Sequence, residues 1–464
     1  MRSLVPALAD AVTLLERVAP YASGYARRNA GTAVRIDRAS TTVTPVDPQA
    51  GFTLTVWTGE RFLEVSSDDP CREAVRACAL ALADRARAAG ADPARPGPDP
   101  GEPLEQHFAH PQERDSRTVP AAEKVATAEA LRAALAGAPD LREAVAIVGD
   151  VHAEISVVNR TRRLSQDLHR IRQVALATFG SALGQVQLHH GLERIGGWER
   201  CEDPRRVVES VVRDGPRLLG AGRIPDPGDH ECVIDGHFAG LLAHEAFGHG
   251  TEQDLFLKDR AQGAEHLGKL IAAPGVSMYD DPSNGWAASY FFDDEGVLAT
   301  RTTIVDQGVL VNGLNDRHSH TVLSARGQRV AKTANGRREA YDHKPYTRMT
   351  NTFFGAGTDN EGDLIKGVKR GYYLTHPSNG MEDPKGWGIQ CEGAMAEEII
   401  DGRLTGRVFG PVVITGHVPT LLKSISGIGS IVHEASLGMC GKGYKEWVKV
   451  TDGGPALRLR LVIA

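Results

Sequence analysis

The sequence predicts an α+β fold in two domains. Residues 1–222 read as an N-terminal mixed helix and strand domain, and residues 223–464 as a C-terminal, largely antiparallel β domain with one helix that carries a candidate metal site. Three observations lead there. The first half alternates helical and strand patterns, the second half is dominated by strands joined through short turn signals, and Gly220 to Gly228, with Pro225 and Pro227, interrupts both patterns between them.

Residues 5–19 read as an amphipathic helix. Gly51 to Trp57 and Arg61 to Val65 flank Thr58-Gly59-Glu60 as a hairpin. An Ala- and Arg-rich helix covers about 70–89, and Gly90 to Pro120 is dense in Pro, Gly and charge, the composition of a connecting loop. A further helix spans about 121–136, and 143–188 supplies more strands. Arg205 to Asp214 reads as a helix with apolar positions 207, 208, 211 and 212, which Gly215-Pro216 should end. In the second half, Arg301 to Val305 and Val309 to Val311 flank Asp306-Gln307-Gly308, while Glu397 to Ile400 and Arg403 to Thr405 flank Asp401-Gly402, a pair suited to a two-residue hairpin loop. Pro411 to Thr415 and Leu457 to Ile463 read as further strands, and no internal repeat is found.

Composition narrows the function classes. At 464 residues and 41% hydrophobic, the chain can bury substantial cores. A net charge of −6 with scattered basic residues gives no electrostatic footprint for nucleic acid. No segment reaches the roughly eighteen apolar residues of a membrane span, and Asp10 and Glu16 interrupt the N-terminal segment, so neither a membrane anchor nor a signal peptide is expected. Six widely spaced cysteines without a Cys-x-x-Cys fit a reducing, cytoplasmic compartment.

The chemistry concentrates in His244-Glu245-Ala246-Phe247-Gly248-His249 and, far downstream, Gly438-Met439-Cys440-Gly441. Two imidazoles and a thiolate could supply three ligands to Zn²⁺, leaving a fourth position open beside the Glu245 carboxylate. The spacing is awkward. Histidines five apart differ by about 140° on a regular α-helix, so both reach one metal only if the helix ends, kinks or carries a π-bulge. Gly248 is the natural place for that distortion. The string alone is weak, because His-Glu pairs occur three times among 17 histidines; a plain helical histidine pair and a small buried cysteine explain the same residues.

The surroundings change the balance. Asp235 to Ala243 leads into His244, Gly250-Thr251-Glu252-Gln253-Asp254 follows His249, and Phe292 to Val297, Arg337-Arg338-Glu339 and Arg348 to Thr352 come before Gly438 to Lys442. In this order, from about Pro204 to Lys442, the chain resembles the TldD/PmbA family of zinc metallopeptidases, on the side of its catalytic TldD-like subunits. The resemblance implies His244, His249 and Cys440 as zinc ligands and Glu245 as general base. It implies hydrolysis of amide bonds in small or unfolded peptides within an enclosed cavity, formed as a homodimer or as a heterodimer with a TldE-like subunit. The N-terminal half and the runs Met381 to Ala396 and Gly443-Tyr444-Lys445-Glu446-Trp447 depart from the family pattern, which points to a specialised substrate such as a peptide or amide intermediate of natural-product biosynthesis. Two alternatives remain at this level: a cavity-completing subunit without catalysis of its own, and a zinc Lewis-acid enzyme of non-hydrolytic chemistry.

Three further clusters have competing readings. His237 and His433 read as hydrogen-bonded, partly buried histidines in preference to ligands. Asp293-Asp294-Glu295, before Gly296, reads as a solvated turn in preference to a cation site. Arg337, Arg338 and Arg348 could clamp a substrate carboxylate or form ion pairs.

Overall fold

A computed structural model describes residues 1–464 except 47, 183, 329 and 445. The first half is organised by three long strands, Tyr21–Ile36, Leu141–Asn159 and Arg162–Ser181, within an eight-stranded sheet. Gln49–Trp57 and Phe62–Ser67 extend one edge as the expected hairpin, with Trp57 opposite Phe62. The side chains of Leu141–Asn159 alternate between two cores, as the twofold strand period requires. Ala144, Ala146 and Val148 meet the helices Ala121–Leu135 and Pro204–Leu218, and Val158 joins the core of helices Val5–Leu15 and Arg72–Ala88. Ala153, Ile155 and Val157 face the other way, onto Tyr290 and Phe292 of the second half.

Two expectations about this half fail for physical reasons. The Pro- and Gly-rich stretch 90–120 is not all loop: Leu104–Ala109 pairs parallel with Arg162 to Asp167 at the sheet edge, and Ser116–Thr118 forms a 3-10 turn. The helix read as ending at Gly215-Pro216 continues through both to Leu218. Burial of Val207, Val208, Val211 and Leu218 outweighs the hydrogen bond lost at Pro216 near the helix end. A side chain at Gly215 would strike the Phe179 ring at 2.0 Å, so glycine here serves helix–sheet contact and not termination.

His152 and His169, on the adjacent strands Leu141–Asn159 and Arg162–Ser181, stand opposite each other with rings stacked at 4.2 Å, both buried. Burial, then the neighbouring His152 and Arg117, push His169 from an ordinary 6.5 down to about 4. The fold therefore holds it neutral where an unfolded chain would take up a proton, and the stability it contributes is full above pH 6.5 and is lost as pH falls towards 4. We expect the urea midpoint to fall between pH 7 and 4.5, and His169→Gln, which cannot titrate, to flatten that fall; an unchanged slope would disprove the assignment.

The second half contains a seven-stranded sheet, a six-stranded sheet and two hairpins. It is less uniformly antiparallel than the sequence suggests. Arg370–Asp383 runs parallel to Gly228–Ile234, and Asn351–Phe354 runs parallel to Thr451–Gly454. It also holds further short helices, including Arg317–Ala325, Glu361–Lys366 and Val418–Lys423. The expected hairpins form: Thr302–Asp306 pairs with Val309–Leu310, and Gly388–Ile400 with Arg403–Phe409, where Asp401 and Gly402 both take the positive φ of a tight two-residue turn. No helix among the described residues is long and apolar enough to cross a membrane.

Asp293-Asp294-Glu295 is not a solvated turn. Asp293 is buried and accepts the backbone N–H groups of Glu295, Val297 and Gly336, while Asp294 accepts the Arg338 N–H and the Tyr25 hydroxyl. These carboxylates splice the turn to the rest of the fold.

Candidate metal centre

The local sequence builds the site from Asp235 onward. Asp235 caps the helix Gly236–Leu242 by accepting the Phe238 N–H at 2.7 Å. Gly240 lets that helix lie directly on strand Thr451–Gly454, since a β-carbon there would sit 2.6 Å from the Gly453 nitrogen and 2.9 Å from the Asp452 carbonyl carbon. Both obstacles are backbone and cannot rotate away. Gly240→Ala should therefore destabilise the protein by about 2 kcal/mol through overpacking, seen as a lower melting temperature; an unchanged melting curve would refute this account of the contact.

After Leu242 the α-helix stops. Ala243–Gly248 is a π-helix and His249–Thr251 a 3-10 turn. The wider π turn brings residues five apart onto one face, which resolves the angular mismatch between His244 and His249. Gly248 is needed at this point, because a β-carbon would lie 2.1 Å from Met349 Sδ. Cys440 arrives from elsewhere, on the hairpin of Met439–Lys442 with Glu446–Lys449, and its Sγ stands 3.4 Å from His249 Nε2. One ligand atom each from His244, His249 and Cys440 falls within 4.8 Å of the others, and this is the one such trio found among the described residues.

The far sides of both imidazoles are fixed by carboxylates. His244 Nδ1 is 2.8 Å from Asp452 Oδ1, and His249 Nδ1 is 3.0 Å from Glu252 Oε2. A carboxylate only accepts, so each Nδ1 carries a proton and Nε2 is the nitrogen of each ring left to a metal, which would displace any proton held there. Lys442 in turn donates to Glu252 at 3.0 Å and to Asp254 at 2.7 Å, and Arg348 donates to the Cys440 carbonyl. The charges are mutually supporting. Burial opposes ionisation of Cys440, but His249 and His244 outweigh it and hold the thiol well below its usual range. Burial likewise opposes charge on His249, and Cys440 with Glu252 nonetheless raises it to about 10. A thiolate facing two nitrogen donors, each backed by an acid, is a donor set that fits Zn²⁺.

Glu245 lies beside this trio in a cleft of about 350 Å³ bordered also by His190, His237, His376 and Asp452. Burial raises its carboxyl above the ordinary value, against the pull of His244 and His249. Gly380 passes close over it; a β-carbon there would be 2.5 Å from Glu245 Cγ.

The remaining sequence candidates separate. His237 borders the cleft with its ring stacked on His190 at 5.8 Å, and His433 is exposed instead of partly buried; neither joins the trio. Arg337, Arg338 and Arg348 are buried and donate mainly to backbone carbonyls; of the three, Arg338 makes an ion pair, with Glu64 at 3.1 Å. Within the divergent run Met381 to Ala396, Trp387 and Cys391 are fully buried core residues, and in the run Gly443 to Trp447 Lys445 lies outside the described residues. Sequence reasoning gave no role to Asp452, Glu252 or Gly380. Glu252 had a local signal, an acid three residues after His249; Asp452 had none.

Comparison with known proteins finds relatives in sequence and in fold. Residues 227–463 match the PmbA/TldA metallopeptidase C-terminal domain. The chain is 34% identical over 276 residues to a metalloprotease of Methanothermobacter thermautotrophicus, covering 59% of this chain and 58% of that one. It is 28% identical over 248 residues to a zinc metalloprotease TldD homolog of Saccharolobus solfataricus, covering 52% of each. The match thus spans little more than half the length of these relatives. The fold is similar along its whole length to TldE from Thermococcus kodakarensis, with a TM-score of 0.75 at 15% identity over 98% of this chain and 99% of that one.

Proposed function

The chain belongs to the TldD/PmbA family of metallopeptidases, and from that premise we propose that it is a zinc-dependent hydrolase of amide bonds in small or unfolded peptides, specialised for a peptide or amide intermediate of natural-product biosynthesis. The observation that carries the reading is the trio His244, His249 and Cys440 within 4.8 Å, with Glu245 beside it in an open cleft. His244 Nε2, His249 Nε2 and Cys440 Sγ would hold the ion. Zinc in such a site supplies a lowered water pKa and polarisation of a carbonyl oxygen.

The chain's own residues do the rest. Glu245, its proton affinity raised by burial, accepts a proton from the attacking water and returns it to the leaving amine. Asp452 and Glu252 keep the imidazoles in the tautomer that leaves each Nε2 free. Strand Arg370–Asp383 pairs with Gly388–Ile400 along one side, but its partner on the other side, Gly228–Ile234, stops at Leu374. The edge from His376 to Gly380 therefore borders the cleft with backbone groups available to an extended substrate, which favours recognition by strand addition. Assembly with a TldE-like partner or with a second copy would enclose the cleft, and the six free cysteines suit a reducing cytoplasm.

The test combines metal analysis with a peptide mixture read by mass spectrometry. We expect about one zinc per chain and cleavage that chelation removes and zinc restores; cleavage indifferent to chelation would end the metallopeptidase reading.

A further inference from the structure

A second cavity, of about 270 Å³, lies between the long N-terminal sheet and the hairpin that bears Cys440. Met439 borders both this cavity and the cleft at Glu245, so the two spaces are neighbours across one side chain. Arg170, Arg172 and Arg337 face into it, together with Tyr290 and Trp447. Arg170 donates to the Ala287 and Ser289 carbonyls, and Arg337 to those of Met349 and Lys449. Two of the five N–H donors of each guanidinium are thereby used, all on neutral acceptors. Among the described residues, no carboxylate forms an ion pair with either.

The acids that also border the cavity are engaged elsewhere. Asp293 and Asp294 accept backbone N–H groups, Glu193 is held by Lys449 at 3.1 Å and Arg172 at 3.8 Å, and Glu339 lies 3.4 Å from His343. Burial pushes Arg170 down to about 10 against the pull of Glu193, with Arg337 and Arg27 adding to the shift, and Glu193 is itself shared with Lys449 and Arg172. Burying guanidinium charge without an anion is unfavourable, and a planar fork with free donors matches a carboxylate in two-point geometry.

We propose that this cavity is a carboxylate-binding subsite, receiving an anionic end of the substrate while the amide to be cleaved lies at Glu245. That the anion belongs to the substrate rests on the hydrolase reading; that the cavity binds carboxylates does not.

The test uses the full chain carrying Glu245→Gln, to prevent turnover, and calorimetric titration with N-acetyl-tetraalanine, its C-terminal amide, and N-acetyl-trialanyl-glutamate diblocked except at the side chain. We expect the free acid to bind about tenfold tighter than the amide, as one bidentate charged contact provides. Adding Arg172→Gln, at a half-exposed position, or Arg337→Lys, which keeps charge but loses the fork, should shrink that ratio at least threefold without weakening the amide. Preference shared by the side-chain acid assigns the site to any carboxylate, and preference confined to the α-acid assigns it to the chain terminus; both sustain the subsite. Equal binding of acid and amide, or a ratio unmoved by both substitutions, overturns it. Cleavage by the unaltered chain is read separately: cleavage without acid preference sinks the subsite and leaves the hydrolase, while acid preference without any cleavage sinks the hydrolase and leaves the subsite.

Discussion

Glu245→Gln should lower kcat for peptide cleavage by about 10³-fold while leaving zinc content unchanged, because a neutral amide fills the same space but cannot take a proton from water. Glu245 sits next to His244 without being one of the converging trio, so metal loss is not the expected route to inactivity. The comparison needs two readings from one preparation, metal by mass spectrometry and initial rates on the same peptide. Full zinc with rates within tenfold of the unaltered chain would remove Glu245 from the proton-transfer role. Full zinc with no activity in either protein would instead favour the cavity-completing subunit.

Asp452→Ala and Glu252→Ala should each weaken zinc binding by about 10- to 100-fold, the usual consequence of releasing the far nitrogen of a ligating imidazole. The two are not equivalent. Asp452 touches His244 alone among these ligands, whereas Glu252 is also the anion for Lys442, so its loss leaves a buried ammonium with Asp254 as its remaining acidic partner. Glu252→Ala should therefore also lower the melting temperature of the metal-free protein, by an amount Asp452→Ala does not match. Competition with a chelator measures the first effect and thermal unfolding of the apo chain the second. Unchanged zinc affinity in both variants would show that the carboxylates do not orient the imidazoles.

The contrast between these carboxylates shows how legibility follows distance along the chain. Glu252 lies three residues past His249, within one turn, and the run that contains it was visible as part of the family pattern. Asp452 lies 208 residues from His244 and reaches it because Gly240 allows a helix to rest on the backbone of strand Thr451–Gly454. Local periodicity carries no trace of such a contact. The same limit explains the two misread stretches of the first half. Leu104–Ala109 is a strand because the edge of Arg162–Ser181 offers it partners, and the helix through Pro216 persists because its apolar face is already buried. The arginines were read as a clamp or as ion-pair partners, yet Arg337 donates to carbonyls and turns towards a cavity whose existence depends on how the two halves of the chain meet.

By itself the sequence determined the five-residue spacing of the candidate ligands His244 and His249 and the need for an irregular turn near Gly248 if both are to face one metal, since these follow from side-chain chemistry and helix geometry within six residues. It determined the hairpins at Asp401-Gly402 and Gln307-Gly308, where turn residues dictate φ. Tertiary structure alone decided how that turn is made, as a π-helix, and which carboxylate stands behind each histidine, and it brings Cys440, already a candidate through the family resemblance, to 3.4 Å from His249. The physical reason is that bond angles and turn preferences act between neighbours, whereas the position of a carboxylate two hundred residues away is set by close packing, which is a property of the folded whole.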